Sequence, residues 1–329
     1  MKRATTLGLW ALGAIALALF PHLIGVYYAN FFINFGIVAL FAVSYNLLLG
    51  YTGLLSFGHA IYFGAGGYGT ALALERIDGM PLIPALLIGV ISSVTLAVIL
   101  SPIVARLKAA AFAMLHLAFN YIVYILVLKL RNITGGEDGI SGYDIPPLNL
   151  GFVSLDMSDP TIFFYFASVV LGGSLWLAWF FTKTPFGQVI VGIRDNDMRV
   201  SYLGFKVTQS KAVVYVVAAA FAGVAGAVSA MFQGMVAAEG SVDIAHAFQP
   251  ILATIVGGAG SFFGPIAGAA IFSALEEITT RFTERVELVN GVVMILVIIY
   301  FPMGFMGLIA KAKEKLFRNK PPQKEMESI

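Results

Sequence analysis

"IAHAFQPILATIVGGAGSFFGPIAGAAIFSAL", residues 244–275, contains no charged residue. It either crosses a membrane once or folds as two short crossings broken at Gly257-Gly258-Ala259-Gly260. The residues favour the break. Pro265 cannot donate a backbone hydrogen bond and disrupts a helix unless it lies in the first turn. A helix that starts just before Pro265, after a glycine turn, meets that condition. Gly260, Gly264 and Gly268 then sit four apart, a double small-xxx-small face on which helices approach closely.

The same scarcity of charge extends over the chain. Its 329 residues carry 20 Lys+Arg and 18 Asp+Glu, 12% in all, and 59% are apolar. Soluble domains average about 25% charged residues, so a soluble globular protein and a disordered one are both excluded. A net charge of +2 with no dominant basic stripe weighs against a nucleic-acid binder. There is no cysteine, hence no disulfide and no thiolate metal site. Residues 4–74, 79–105, 109–128, 160–182, 212–238 and 288–310 are also charge-free. A spanning helix takes about 20 mostly apolar residues, so these windows read as membrane. The expected spans are 7–26, 31–49, 53–74, 82–104, 109–128, 161–181, 212–232, 244–275 and 288–310. A cleaved signal peptide, with Ala16-Leu17-Ala18 at the cut, is the other reading of the first. Apolar sequence that continues with no polar mature region favours the span.

Parity follows from the positive-inside rule. If 244–275 crosses twice, 15 of the 20 Lys/Arg lie inside and 13 of the 18 acids outside; if it crosses once, the positives split 11 to 9. The expected fold is therefore all-α and polytopic, with about ten membrane crossings, two of them short, and both termini inside. Residues 1–310 form one transmembrane domain, 184–204 lie in the cytoplasm, and 311–329 are a basic tail expected to be disordered. No charged residue falls within a span. A charge at the bilayer centre usually marks an ion pathway or proton relay, so its absence weighs against an ion-coupled carrier.

Several segments carry more information. Residues 46–70, "NLLLGYTGLLSFGHAIYFGAGGYGT", hold Gly50, Gly53 and Gly58 among seven glycines. They suit close helix packing or an interrupted helix beside a polar path. His59 in a span needs a polar partner, either an interhelical hydrogen bond or substrate; Asn46, Ser56, His116 and Asn120 obey the same rule. Residues 132–142, "NITGGEDGISG", are turn-forming and lack the spacing of a calcium loop. In 184–204, "TPFGQVIVGIRDNDMRVSYLG", Thr184 is an N-cap, Pro185 a first helical residue and Gly204 a helix end. Apolar residues recur at helical spacing, against polar Arg194, Asp195, Asn196, Asp197 and Arg199. Such a helix lies on a membrane surface or docks into a partner's groove. No phosphate-binding loop, catalytic triad, zinc-binding helix or paired-carboxylate arrangement occurs. Glu276 and Glu277 are adjacent, hence about 100° apart on a helix, and are expected to be solvated near an outer loop.

Four stretches in this order resemble the permease subunits of branched-chain amino acid ABC importers, the LivM-like members in particular. They are "NLLLGYTGLLSFGHA" at 46–60, "TGGEDGISG" at 134–142, "FGQVIVGIRDNDMRVSYLGFKVTQSKAVVYVVAAAFAGVAGA" at 186–227 and "ATIVGGAGSFFGPIAGAA" at 253–270. The resemblance implies a non-enzymatic subunit of the bacterial inner membrane without a cofactor, ATP being bound by its partners. Those partners are a second homologous permease, two cytoplasmic ATPases and a periplasmic or lipid-anchored substrate-binding protein. It also implies that 184–204 is the ATPase contact, through Gly187, Ile193, Arg194, Asp195, Asn196, Arg199 and Gly204. Asn46, Gly50, Gly53, Ser56, Gly58, His59, His116, Gly257, Gly258 and Gly260 become candidates for the translocation path, with no catalytic or metal residue. Two departures bear on substrate: His116 stands where many relatives carry Thr, and 109–111 are alanines where Gly and an aromatic are usual. The implied cargo is a branched-chain amino acid or a related small polar solute. The rival reading is a stand-alone channel or facilitator for urea or short amides.

Overall fold

In lipid a segment must satisfy its own backbone polar groups, so the apolar runs fold as helices. The computed structural model describes residues 25–107, 109–149 and 154–282, with isolated positions at 21 and between 288 and 307. Most of the expected first span at 7–26, about half of 288–310 and the whole 311–329 tail lie outside the described residues. In chain order the long elements are α1 (Val26–Thr52), α2 (Ala60–Arg76), α3 (Leu82–Val104) and α4 (Ala109–Lys129). After a one-turn α5 (Arg131–Thr134) come α6 (Pro160–Lys183), α7 (Pro185–Tyr202) and α8 (Val207–Gln233), then α9 (Ile244–Gly257) and α10 (Phe263–Phe282). Five of them, α1, α3, α4, α6 and α8, are long and apolar enough to cross a membrane. The chain is a multi-pass helical membrane protein.

Helix ends follow local chemistry. Asp159 caps α6 by accepting the Thr161 amide at 2.8 Å, with Pro160 in the first turn, and Asp243 caps α9 through the His246 amide at 3.2 Å. The segment 244–275 is broken where its glycines stand: α9 stops at Gly257, Gly258 turns away at φ 103°, and α10 begins at Phe263. The close face differs in register from the expected one. Gly264 and Gly268 pack against the main chain of Gly258 and Ala253, and Gly257 against Gly264, whereas Gly260 lies in the turn facing open space.

α1 is the axis of the bundle. Every residue from Ile37 to Leu48 is buried, so this half is apolar all round for a reason: α6, α8, α9 and α10 surround it. α2, α3 and α8 form a tight trio, with Gly66 against the Gly223 carbonyl and Gly226 against that of Phe63. Ser93 on α3 donates to the Ala219 carbonyl of α8 at 2.7 Å. α3 and α4 turn large apolar side chains such as Ile91, Ile99, Met114 and Ile122 outward.

Two expectations need correction. The 53–74 span is helical only from Ala60; residues 53–59 are an irregular stretch closed off by left-handed Gly53 at φ 73°. The fold is also not purely α. In the 135–159 loop β1 (Ile140–Ser141) pairs antiparallel with β4 (Met235–Val236), and β2 (Leu148–Asn149) with β3 (Ser154–Leu155). Ladders of two residues are shorter than any alternation a sequence pattern can reveal. Tyr143 fastens the loop by donating to the Ala230 carbonyl at 2.7 Å.

Candidate functional site

A cavity of about 600 Å³ opens at one end of the bundle, between the first half of α1, the end of α8, the start of α9 and the end of α10. Asn30, Asn34, Gln233, Gln249, Ser229 and Ser273 supply neutral polar groups, and Glu276 and Glu277 line its α10 side. Tyr27 donates to Glu277, while Arg281 bonds both the Tyr27 hydroxyl at 2.6 Å and the Glu277 carboxylate at 3.2 Å. Glu276 is exposed and Glu277 half-buried. The floor is aromatic. Phe41 stacks on His59 at 5.7 Å and on His246 at 5.3 Å, with Phe63 beside it. The chemistry suits a small solute with hydrogen-bonding groups at one end and an apolar body at the other.

Below this floor the bundle is closed. Phe41 and Gly50 are nine residues apart on α1, about 13 Å along a helix, and the interval is cross-linked. Thr254 on α9 donates to the Ala42 carbonyl at 3.2 Å, and Asn46 donates its amide to the Ser261 carbonyl in the α9–α10 turn at 3.1 Å. Ser44 gives its proton to the Phe41 carbonyl, so the 2.9 Å contact with His59 Nε2 makes that nitrogen the donor. At Gly50 a methyl group would overlap both the Asn46 side chain and the Ala259 carbonyl, so only glycine lets the turn reach the helix.

A second polar cluster ties in α4. Ser56 Oγ meets His116 Nδ1 at 2.6 Å, His116 Nε2 meets the Tyr215 hydroxyl, and Tyr215 meets Tyr62. The imidazole donates through one ring nitrogen and accepts through the other, so the protons run in one direction along the whole Ser56–His116–Tyr215–Tyr62 chain. Gly58 packs under the His116 carbonyl, and Asn120 donates to the Val242 carbonyl at 2.9 Å. These are interhelical bonds of the kind a buried imidazole requires.

α7 lies across the other end. Thr184 caps it by accepting the Gly187 amide at 3.2 Å, with Pro185 in the first turn. It is two helices rather than one, because Asn196 is extended at φ −162° and its side chain caps the second piece by accepting the Arg199 amide at 2.9 Å. Gly187 packs on the Thr182 carbonyl and Ile193 is buried. Arg194 pairs with Asp195 at 3.0 Å and donates to the Gly50 carbonyl at 2.6 Å. Asp197 reaches Lys211 of α8 at 3.9 Å. Met198, Tyr202, Leu203 and Phe205 are exposed, Arg199 points away from the core, and Gly204 ends the segment at φ 89°.

Residues 27–301 match the family model described as "Branched-chain amino acid transport system / permease component". The chain belongs to this permease family. It is 31% identical over 283 residues to the high-affinity branched-chain amino acid transport system permease protein LivM of Salmonella typhimurium, a match covering 80% of this chain and 66% of that one. The chain thus spans just under two thirds of the LivM relative's length. The probable branched-chain amino acid transport permease protein LivM of Methanocaldococcus jannaschii is 24% identical, over 82% of this chain and 90% of its own. The permease protein LivH of S. typhimurium is 21% identical, over 82% and 91%. No solved structure matches. The family and these relatives are transport permeases, not enzymes.

Within the permease, the residues singled out in the sequence separate into groups. Gly50 and Gly53 meet Arg194, Asn46 holds the α9–α10 turn, Gly257 packs on Gly264 of α10, Gly258 and Gly260 shape the turn between α9 and α10, and Ser56, Gly58, His59 and His116 lie in the two buried networks. None of them lines the cavity. The cavity's own residues, Asn30, Asn34, Gln233 and Gln249, drew no notice in the sequence. Their signal is an amide within an apolar run, which also describes many packing residues.

Proposed function

We propose that this permease is the transmembrane subunit of an ATP-binding-cassette importer in the bacterial inner membrane, carrying branched-chain amino acids or related small polar solutes. It works beside a second homologous permease, with two cytoplasmic ATPases on the α7 side and a substrate-binding protein at the cavity mouth. The ten-crossing arrangement with both termini inside puts α7 in the cytoplasm and the cavity outside. The observation that carries the reading is the pairing of that cavity, closed below Phe41, with an exposed two-part helix at the opposite end. A solute delivered to the mouth would rest on the Phe41 floor, its polar end among the amides and Glu276, its apolar body against Phe31, Phe63 and Phe232. ATP-driven movement of the partners would press on the exposed side of α7, at Asp195, Asn196, Arg199 and Gly204, and Gly187, Ile193 and Arg194, which face the bundle, would carry the push inward. Packed helices switch between discrete arrangements rather than deform continuously, so that push would exchange an outward-open state for an inward-open one. The permease itself needs no cofactor.

Reconstitution tests this. The protein alone in liposomes should move nothing, and the full complex should accumulate labelled leucine, isoleucine or valine only with ATP. Equilibration of urea or a short amide by the protein alone overturns the importer in favour of a facilitator.

A further inference from the structure

A helix that ends leaves its last carbonyls without partners. At the end of α1 the defect is specific. In a continuing helix the Gly50 carbonyl would accept the Leu54 amide, but past left-handed Gly53 the Leu54 amide turns back to the Leu48 carbonyl at 2.9 Å. The orphaned Gly50 oxygen is filled by Arg194 Nη1 at 2.6 Å, from 144 residues further along the chain. A cation at a helix C-terminus is the favourable sign for the helix dipole. The contact is also snug: a methyl group on Gly53 would lie 3.1 Å from Arg194 Cγ. Arg194 itself stands two residues before the break at Asn196, at the end of the first piece of α7, whose Ile193 is buried. Gly50 in turn carries the Ala259 carbonyl of the α9–α10 turn against its Cα, and Asn46 one turn earlier holds Ser261. The guanidinium therefore ties α7 to the last turn of α1, the turn from which the Gly53–His59 stretch leaves and on which the α9–α10 turn rests.

We propose that Arg194 is the strut through which α7 controls the inner gate: its bond to the Gly50 carbonyl holds the Gly53–His59 stretch and the α9–α10 turn together, and losing that bond lets the path open below Phe41. Arg194 is in this sense a positioning residue that touches no cargo. The proposal rests on α7 being the ATPase contact, and it adds which atom receives the stroke.

The test uses the complete complex in proteoliposomes, with Arg194→Met and Arg194→Lys. The natural chain has no cysteine, so Leu54→Cys, at a buried position in the irregular stretch, reports gate opening through a charged thiol reagent applied from the α7 side. In Arg194→Met the ATPases should stay bound. Uptake per ATP hydrolysed should fall at least tenfold, and labelling of the introduced thiol should accelerate at least tenfold. Arg194→Lys, whose ammonium can still donate to a carbonyl, should return both within about threefold of the parent. Loss of the ATPases from Arg194→Met overturns the strut and makes Arg194 a docking residue. Unchanged uptake, or reduced uptake with unchanged labelling, overturns it as well. Failure of the underlying importer reading looks different, because the unmodified protein would then transport without ATPases.

Discussion

Between Tyr27 and Phe41, α1 borders a cavity whose polar groups are side chains: Asn30, Asn34, Gln233, Gln249 and the two glutamates. Between Ala42 and Thr52 the same helix is held mainly through main-chain carbonyls, with Thr254 on Ala42, Asn46 on Ser261 and Arg194 on Gly50. Side chains can rotate to suit different solutes at little cost to the fold. A carbonyl moves only with its backbone, so contacts made to carbonyls either hold whole segments together or release them as bodies. The first region is built to adapt and the second to switch.

Substitutions should separate the two regions by the size and kind of their effect. Gly50→Val should have the largest effect on transport, since even one methyl group overlaps Asn46 and Ala259. Overpacking costs about 1–3 kcal/mol and occasionally more, and here it also parts the plug. The expected result is complete loss of uptake, with thermal unfolding in detergent shifted down. Phe41→Ala at the boundary should lower stability by about 3–5 kcal/mol, the usual cost of deleting a buried aromatic, measured by the same unfolding. It should also raise passive solute leak, since the ring is the cavity floor. His116→Phe keeps a ring but leaves Ser56 without its partner, at about 1–3 kcal/mol; a stability equal to the parent would show that the Ser56–His116–Tyr215 chain is incidental. Smallest is the double change Glu276→Gln with Glu277→Gln. It should leave assembly and maximal uptake intact while raising the KM for a zwitterionic amino acid severalfold. A large loss of maximal rate instead would make the cavity rim part of the switching region.

How much of this was legible in the sequence depended on whether the signal was local. Caps and breaks were: Thr184 with Pro185, and the glycines at 257–258, each act within a few residues, through one side chain or one allowed φ. His59 and His116 were recognisable as buried polar groups needing partners, because that need follows from the solvent and not from the fold. Their partners, Ser44, Ser56 and Tyr215, were not recognisable, being 15, 60 and 99 residues away. Asn196 read as a polar face residue of one helix. Its role as an internal cap requires an extended φ that composition does not announce.

The sequence by itself determined that this chain lives in a membrane, where its apolar runs lie, which segment is broken, and which family it belongs to. Those properties depend on hydropathy, on the proline and glycine backbone rules, and on the order of motifs along one dimension. Only the tertiary structure decided that polar side chains far apart in sequence enclose one cavity and that Gly50, Arg194 and the α9–α10 turn meet at its closed end. Such meetings depend on how helices cross, and crossing is set by packed surfaces that no single stretch of chain contains.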